Sequence, residues 1–240
     1  MSGFSVKMKW LVIGLVVTVM AGAAGTVEAQ SARRTRRESN ANRKARIART
    51  ITETYTHRYE IGGGGGFLRF RSGEYLQKNS EVTFWMSGTY NLSQKLGVVA
   101  DVRGAYGNAK VGNTPFNIPN PQISQYTFLA GPQYRFYRRE KTSASAFVVG
   151  GVGLGKFDDG SKGLLSENIH VWQSATRPVV SAGVNLDYNF YPNLAFRVTP
   201  TYVGTLYRLA PNDTTPGSKG SIQNNLGVNL GFVYRFGRIK

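Results

Sequence analysis

Val82-Thr83-Phe84-Trp85-Met86-Ser87-Gly88-Thr89-Tyr90-Asn91-Leu92 alternates in chemistry at nearly every step. Its even positions read Val, Phe, Met, Gly, Tyr and Leu; its odd positions read Thr, Trp, Ser, Thr and Asn. Successive side chains of a strand point to opposite faces, so this stretch has one oily face and one mostly polar face. A soluble sandwich would bury the oily face against a second sheet. A barrel in an outer membrane would turn it to lipid and line its lumen with the polar face.

Outward from this stretch the pattern recurs with charges in it. Leu96, Val98, Ala100, Val102, Gly104 and Tyr106 share one face, and Asp101 and Arg103 the other. Val180, Val184, Leu186, Tyr188 and Phe190 alternate with Ser181, Asn185, Asp187 and Asn189. Arg135 and Arg197 fall on the polar phase of their own stretches. A buried charge is costly unless paired, so mid-strand charges require a wet or internally paired interior. Asp101, Arg103, Arg135, Asp187 and Arg197 are therefore the candidate site. Eight strands leave an interior that side chains can fill. With both signs present, a salt-bridge network filling the lumen is preferred to a charged constriction in a narrow pore.

The alternation predicts strands at 57–70, 81–92, 96–107, 124–137, 144–157, 177–190, 194–207 and 222–236. The links between them are long, short, long, short in turn, as in outer-membrane barrels with tight periplasmic turns and long outer loops. An even strand number returns both termini to the periplasmic side. Residues 113–121 (NTPFNIPNP) and 211–220 (PNDTTPGSKG) are rich in residues that break ladders and form turns. Tyr90, Phe136, Tyr137, Phe190, Tyr191, Phe196, Tyr234 and Phe236 gather toward the short turns. Tyr106, Tyr126, Phe157 and Tyr207 gather toward the long loops. Two such groups predict two interfacial belts. The glycine run 62–66 makes the first strand the weakest, because the alternation loses its phase there.

The N-terminus is organised for export. Lys7 and Lys9 precede an apolar run at 10–20, and Val27-Glu28-Ala29 is an acceptable cleavage motif, so 1–29 reads as a signal peptide. The apolar run is short for the roughly 20 residues of a membrane-spanning helix. The chain has no Cys, which excludes a lipoprotein anchor, disulfides and thiolate metal sites. Cleavage takes the net charge from +17 to +16, since Lys7, Lys9 and Glu28 leave together. Residues 30–56 are a basic periplasmic extension, disordered or partly helical, with Ile47, Ile51 and Tyr55 at helical spacing. Its Arg33, Arg34, Arg36, Arg37, Arg43, Lys44, Arg46 and Arg49 are as dense as in a nucleic-acid arm. An exported protein rarely meets nucleic acid. The extension is therefore either a solvated tail or a contact to an anionic surface, such as lipid headgroups or cell-wall polymer.

Residues 126–136 (YTFLAGPQYRF), the turn-and-return at 188–197 (YNFYPNLAFR) and the last strand at 231–237 (GFVYRFG) resemble the small outer-membrane β-barrel proteins of the OmpA/OmpX and opacity-protein type. The resemblance covers 57–237. It implies an all-β chain: an eight-stranded antiparallel transmembrane β-barrel in contact with outer-membrane lipid. Such proteins usually end on an aromatic residue, whereas here four residues follow Phe236.

Chemistry is thinly represented. The two histidines are His57, before the first strand, and His170, near Ser166, Glu167 and Ser174. Groups on one loop rarely hold catalytic geometry, and no cluster has zinc spacing. The expectation is a barrel with a structural or surface-interaction role, no catalysis, no cofactor and no metal. The alternatives are a narrow porin-like channel, a lipid-modifying enzyme and a soluble lipocalin-type barrel.

Overall fold

The structure, a computed structural model, describes residues 40–72, 77–108, 122–157, 172, 174–207 and 222–239. The signal segment, Arg33, Arg34, Arg36, Arg37 and His170 lie outside the described residues. One helix, α1 (Asn40–Tyr55), precedes eight strands: β1 (Tyr59–Ser72), β2 (Gln77–Asn91), β3 (Leu96–Asn108), β4 (Gln122–Arg138), β5 (Thr142–Lys156), β6 (Ala175–Tyr191), β7 (Leu194–Thr205) and β8 (Gln223–Phe236). Each strand pairs antiparallel with the next, and β1 closes on β8 from Tyr59↔Phe236 to Arg69↔Leu226. Among the described residues no helix is long and apolar enough to cross a membrane; the strands are what can span.

The barrel is oily outside and polar inside. Val82, Phe84, Met86, Val148, Val180, Leu226, Leu230 and Phe232 are exposed on its outer wall. Thr83, Ser87, Gln125, Gln133, Asn185, Thr199, Asn225 and Asn229 are buried within. The even positions of β2 are outside and its odd positions inside, the assignment the alternation makes if the oily face meets lipid.

Three expectations from the sequence need correction. Pairing continues through Arg71↔Lys78 and Ser72↔Gln77, so the first long link, 71–80, shrinks to 73–76. The ladder is held by backbone groups, and polar side chains do not end it. The first strand also keeps its phase across the glycines. Glu60, Leu68 and Phe70 are buried, while Tyr59, Ile61 and Phe67 are exposed; five residues without side chains simply hide the alternation. Finally, Phe157 and Tyr207 do not join the outer belt. Both are fully buried and face inward.

The belt at the turn end has a local cause. The β4–β5 register shifts between Arg135 and Tyr137, and the β6–β7 register between Asn189 and Tyr191. A bulge inserts one residue and re-aims the side chains beyond it. Phe136 and Tyr137 consequently both face outward, as do Phe190 and Tyr191. At the loop end Phe84, Tyr106 and Tyr126 form an outer aromatic cluster with ring centroids 5.7–6.5 Å apart.

By contacts the chain divides after Arg46, and Ile47–Tyr55 of α1 belong with the barrel. Thr54 and Tyr55 are buried there. Ile47, Thr50 and Ile51 are half-buried, while Arg43, Lys44, Arg46 and Arg49 are exposed. Arg49 pairs with Glu53 one turn on, at 2.9 Å.

Candidate functional site

The lumen carries its chemistry in three tiers. At the turn end β1, β4, β6, β7 and β8 each send one charged residue inward: Glu60, Arg135, Asp187, Arg197 and Arg235. Glu60 pairs with Arg135, with Arg197 at 3.1 Å and with Arg235 at 3.3 Å. Asp187 accepts from Arg197 Nε at 2.6 Å and Nη2 at 2.9 Å, and from Arg235 Nη2 at 2.7 Å. Three guanidinium groups thus share two carboxylates, all buried. Asn91 donates to Glu60 at 3.3 Å, and Asn189 accepts from Arg235 at 2.7 Å.

Tyr55 covers this cluster. Its ring lies 5.3 Å from the Arg135 guanidinium carbon and 6.0 Å from that of Arg235. Its hydroxyl donates to the Arg139 carbonyl at 2.7 Å and accepts from Asn189 Nδ2 at 3.0 Å. An aromatic face over a partly desolvated guanidinium is attractive. Tyr55 is therefore a fitted stopper, and α1 is its handle.

At mid-barrel Arg103 holds Asp101 through Nε at 2.6 Å and Nη2 at 3.3 Å. Its Nη1 reaches across the lumen to Ser181 and Thr201, 3.2 Å from each. Two small cavities lie on either side of it. One of about 10 Å³ is lined by Trp85, Asp101, Arg103 and Arg197. The other, of about 30 Å³, is lined by Thr83, Arg103, Gln125 and Asn229. They have room for about one water and about two.

At the loop end Glu81 is fully buried and accepts from Gln125 Nε2 through both oxygens at 3.1 Å. Above it Phe70, Phe157 and Tyr207 pack ring on ring, with centroids 4.9–6.3 Å apart. Trp172 is also fully buried and donates to the Arg71 carbonyl at 3.0 Å.

The five lumen charges named from sequence thus fall into two groups. Arg135, Asp187 and Arg197 meet at the turn end, and Asp101 and Arg103 pair separately. The network named from sequence left out Glu60, Glu81 and Arg235, although Arg235 stands on the polar phase of the last stretch. Each sits on the inward phase of its strand, so phase alone would have found Arg235 and Glu81. Glu60 was hidden because the glycines obscured the phase of β1. His57 is half-buried, with Nδ1 3.1 Å from the Thr54 carbonyl oxygen. Ser174 accepts from the Phe157 amide at 2.9 Å. Among the described residues no three His, Asp or Glu side chains converge as metal ligands would.

No protein-family model and no curated protein matches the chain. Solved structures do. Neisserial surface protein A aligns over 74% of this chain and 97% of its own, with a TM-score of 0.52 at 12% identity. The outer membrane protein OprG of Pseudomonas aeruginosa aligns over 76% and 97%, with a TM-score of 0.51 at 13% identity. At such identities the likeness is one of fold. The chain has the fold of the small outer-membrane β-barrels, and its oily outer wall is the surface such a barrel presents to lipid.

Proposed function

We propose that this chain is a closed integral outer-membrane barrel with a structural or surface-interaction role and no catalytic activity. The observation that carries the reading is the filled lumen. A five-residue ion cluster under Tyr55, the Arg103–Asp101 pair and an aromatic cap succeed one another along the axis. Ions entering such a lumen would have to displace charges that already neutralise one another. A narrow pore is the competing reading. Purified barrel in a planar bilayer decides between them: the closed reading expects no steady ohmic current, and reproducible single-channel steps would overturn it. Replacing His57 and His170 together should leave the lipid composition of expressing cells unchanged; a shift in acylation would reveal a lipid-modifying enzyme.

The basic extension belongs to the same proposal. On α1, Arg43, Lys44, Arg46 and Arg49 are exposed, and Arg33, Arg34, Arg36 and Arg37 precede them in sequence. Their partner is an anionic surface: headgroup phosphates or a cell-wall polymer. Attraction of this kind is screened within about 8 Å at physiological salt. Binding of the full chain to anionic vesicles or cell-wall fragments should therefore fall steeply as salt rises. Binding indifferent to salt would refute the electrostatic contact.

A further inference from the structure

The turn-end cluster leaves one positive charge over. Arg135, Arg197 and Arg235 face Glu60 and Asp187, while Arg103 is cancelled by Asp101. Between low-dielectric walls such a surplus attracts an opposite charge far more strongly than it would in water. The cavity of about 10 Å³ separates the two tiers, and both Arg103 and Arg197 line it.

The side chains around this cavity offer donors and few open acceptors. Arg197 spends Nε and Nη2 on Asp187 and Glu60, and among the described residues its Nη1 has no partner. Asn229 accepts from Thr83 Oγ1 at 3.0 Å, and its Nδ2 is likewise unused. Ser87 lines the same cavity, and among the described residues its hydroxyl has no partner. These three side chains belong to residues only 2%, 5% and 7% exposed, so bulk water does not satisfy them. The carboxylate and amide oxygens of the wall are already engaged: Asp101 by Arg103, Asn185 by Thr199 and Asn229 by Thr83. A water placed here would accept from the donors but find little to receive its own hydrogens.

We propose that this cavity is a binding site for one monatomic anion, a halide, held by Arg197, Asn229 and Ser87 and facing Arg103. Charge selects an anion, because one unit of positive charge in the cluster has no carboxylate of its own. The unused donors select a species that only accepts. Size selects a single atom, because room for about one water leaves none for a phosphate or a free carboxylate. The site goes beyond the closed-barrel reading and does not depend on it, since it rests on the lumen wall alone.

The test refolds the full-length barrel in detergent and unfolds it in urea at fixed ionic strength, with chloride replacing gluconate stepwise. A ligand that binds only the folded state raises the folding constant in proportion to its concentration once the site fills. The folding constant should therefore rise about tenfold for each tenfold rise in chloride above half-saturation. Bromide should act as chloride does, and sulfate should not. Asn229→Asp is the deciding variant: it is isosteric, still accepts from Thr83, and supplies the missing negative charge covalently. Its folding constant should be indifferent to chloride. A flat wild-type response overturns the proposal. So does an equal response to sulfate, which marks general screening, and so does an equal response in Asn229→Asp, which marks a salt effect on the whole surface. Heat-modifiable mobility on gels checks that each variant has folded. Should Asn229→Asp not fold, Ser87→Ala decides: loss of one donor should raise the half-saturating chloride concentration about tenfold, and an unchanged value rejects the site.

Discussion

Glu60 is the single residue on which the turn end depends. It stands among Arg135, Arg197 and Arg235, so removing its charge leaves three buried guanidinium groups facing Asp187 alone. Breaking a buried ionic cluster by deleting one partner typically costs about 3–5 kcal/mol. Glu60→Gln should lower unfolding stability by that amount in urea titrations of the detergent-folded barrel, and an effect below about 1 kcal/mol would show the cluster to be hydrated and loosely coupled. Tyr55 makes a complementary case. Tyr55→Phe removes the hydroxyl that joins the Arg139 carbonyl to Asn189 and should cost about 1–3 kcal/mol while keeping the ring over the arginines. Tyr55→Ala should cost more and should also render Arg135 and Arg235 accessible to arginine-specific reagents. At this scale legibility tracked position within a strand. Asp101, Arg103, Asp187 and Arg197 stand amid clear alternation and could be placed inside from sequence. Glu60 sits beside glycines that carry no phase. Tyr55 precedes the barrel altogether, and its place over the lumen depends on tertiary packing that no local pattern encodes.

Two elements bear the most weight, β1 and α1. In β1 the inward glycines are spatial requirements. A Cβ on Gly64 would meet the Leu230 carbonyl oxygen at 2.0 Å, and one on Gly62 would meet the Trp85 ring at 3.0 Å. A Cβ on outward Gly65 meets the nearest backbone atom at an ordinary 3.6 Å. Gly64→Val should abolish the folded, heat-modifiable form, whereas Gly65→Val should fold and match or exceed wild-type stability, since it adds β-propensity on a lipid-facing site. Equal damage from both would mean that the run is needed for flexibility and not for room. The helical spacing of Ile47, Ile51 and Tyr55 anticipated part of α1, and its end at Tyr55 marks where the barrel takes hold. Deleting residues 30–54 should therefore leave a barrel that folds, because Tyr55 remains. Extending the deletion through Tyr55 should lower its unfolding midpoint. Strand existence and order were readable because period two is strongly marked in β2, β3, β6, β7 and β8. The bulges at Phe136 and Phe190 were not, because one extra residue leaves composition unchanged while shifting every side chain beyond it.

For the whole molecule, the distribution of charge matters more than its total. Inside, Glu60, Asp101 and Asp187 are paired with Arg103, Arg135, Arg197 and Arg235, so most of the chain's large excess of positive charge lies outside the lumen. A barrel whose lumen charges are largely paired and whose excess positive charge lies outside the lumen should reconstitute far better into anionic than zwitterionic bilayers. The preference should vanish at high salt, and co-flotation with vesicles of each composition measures it. The seam between β1 and β8 adds a kinetic consequence. It joins Tyr59 to Phe236, the most distant pairing in the chain, and in its middle Gly64 faces Gly231. Joining remote segments is the slow step in forming a β-structure, so this ladder should be the last to zip. With glycine on both strands, that event needs no side chain to move aside. The Glu60–Arg235 pair and the stacked Tyr59 and Phe236 rings clamp the turn end of the seam, whereas its bare middle has the ladder's hydrogen bonds and, on the inner side, the Trp85 ring. Amide exchange at Gly63, Gly64, Gly65 and Gly231 should therefore run ahead of every other ladder, making this the line along which the wall can part sideways into the bilayer.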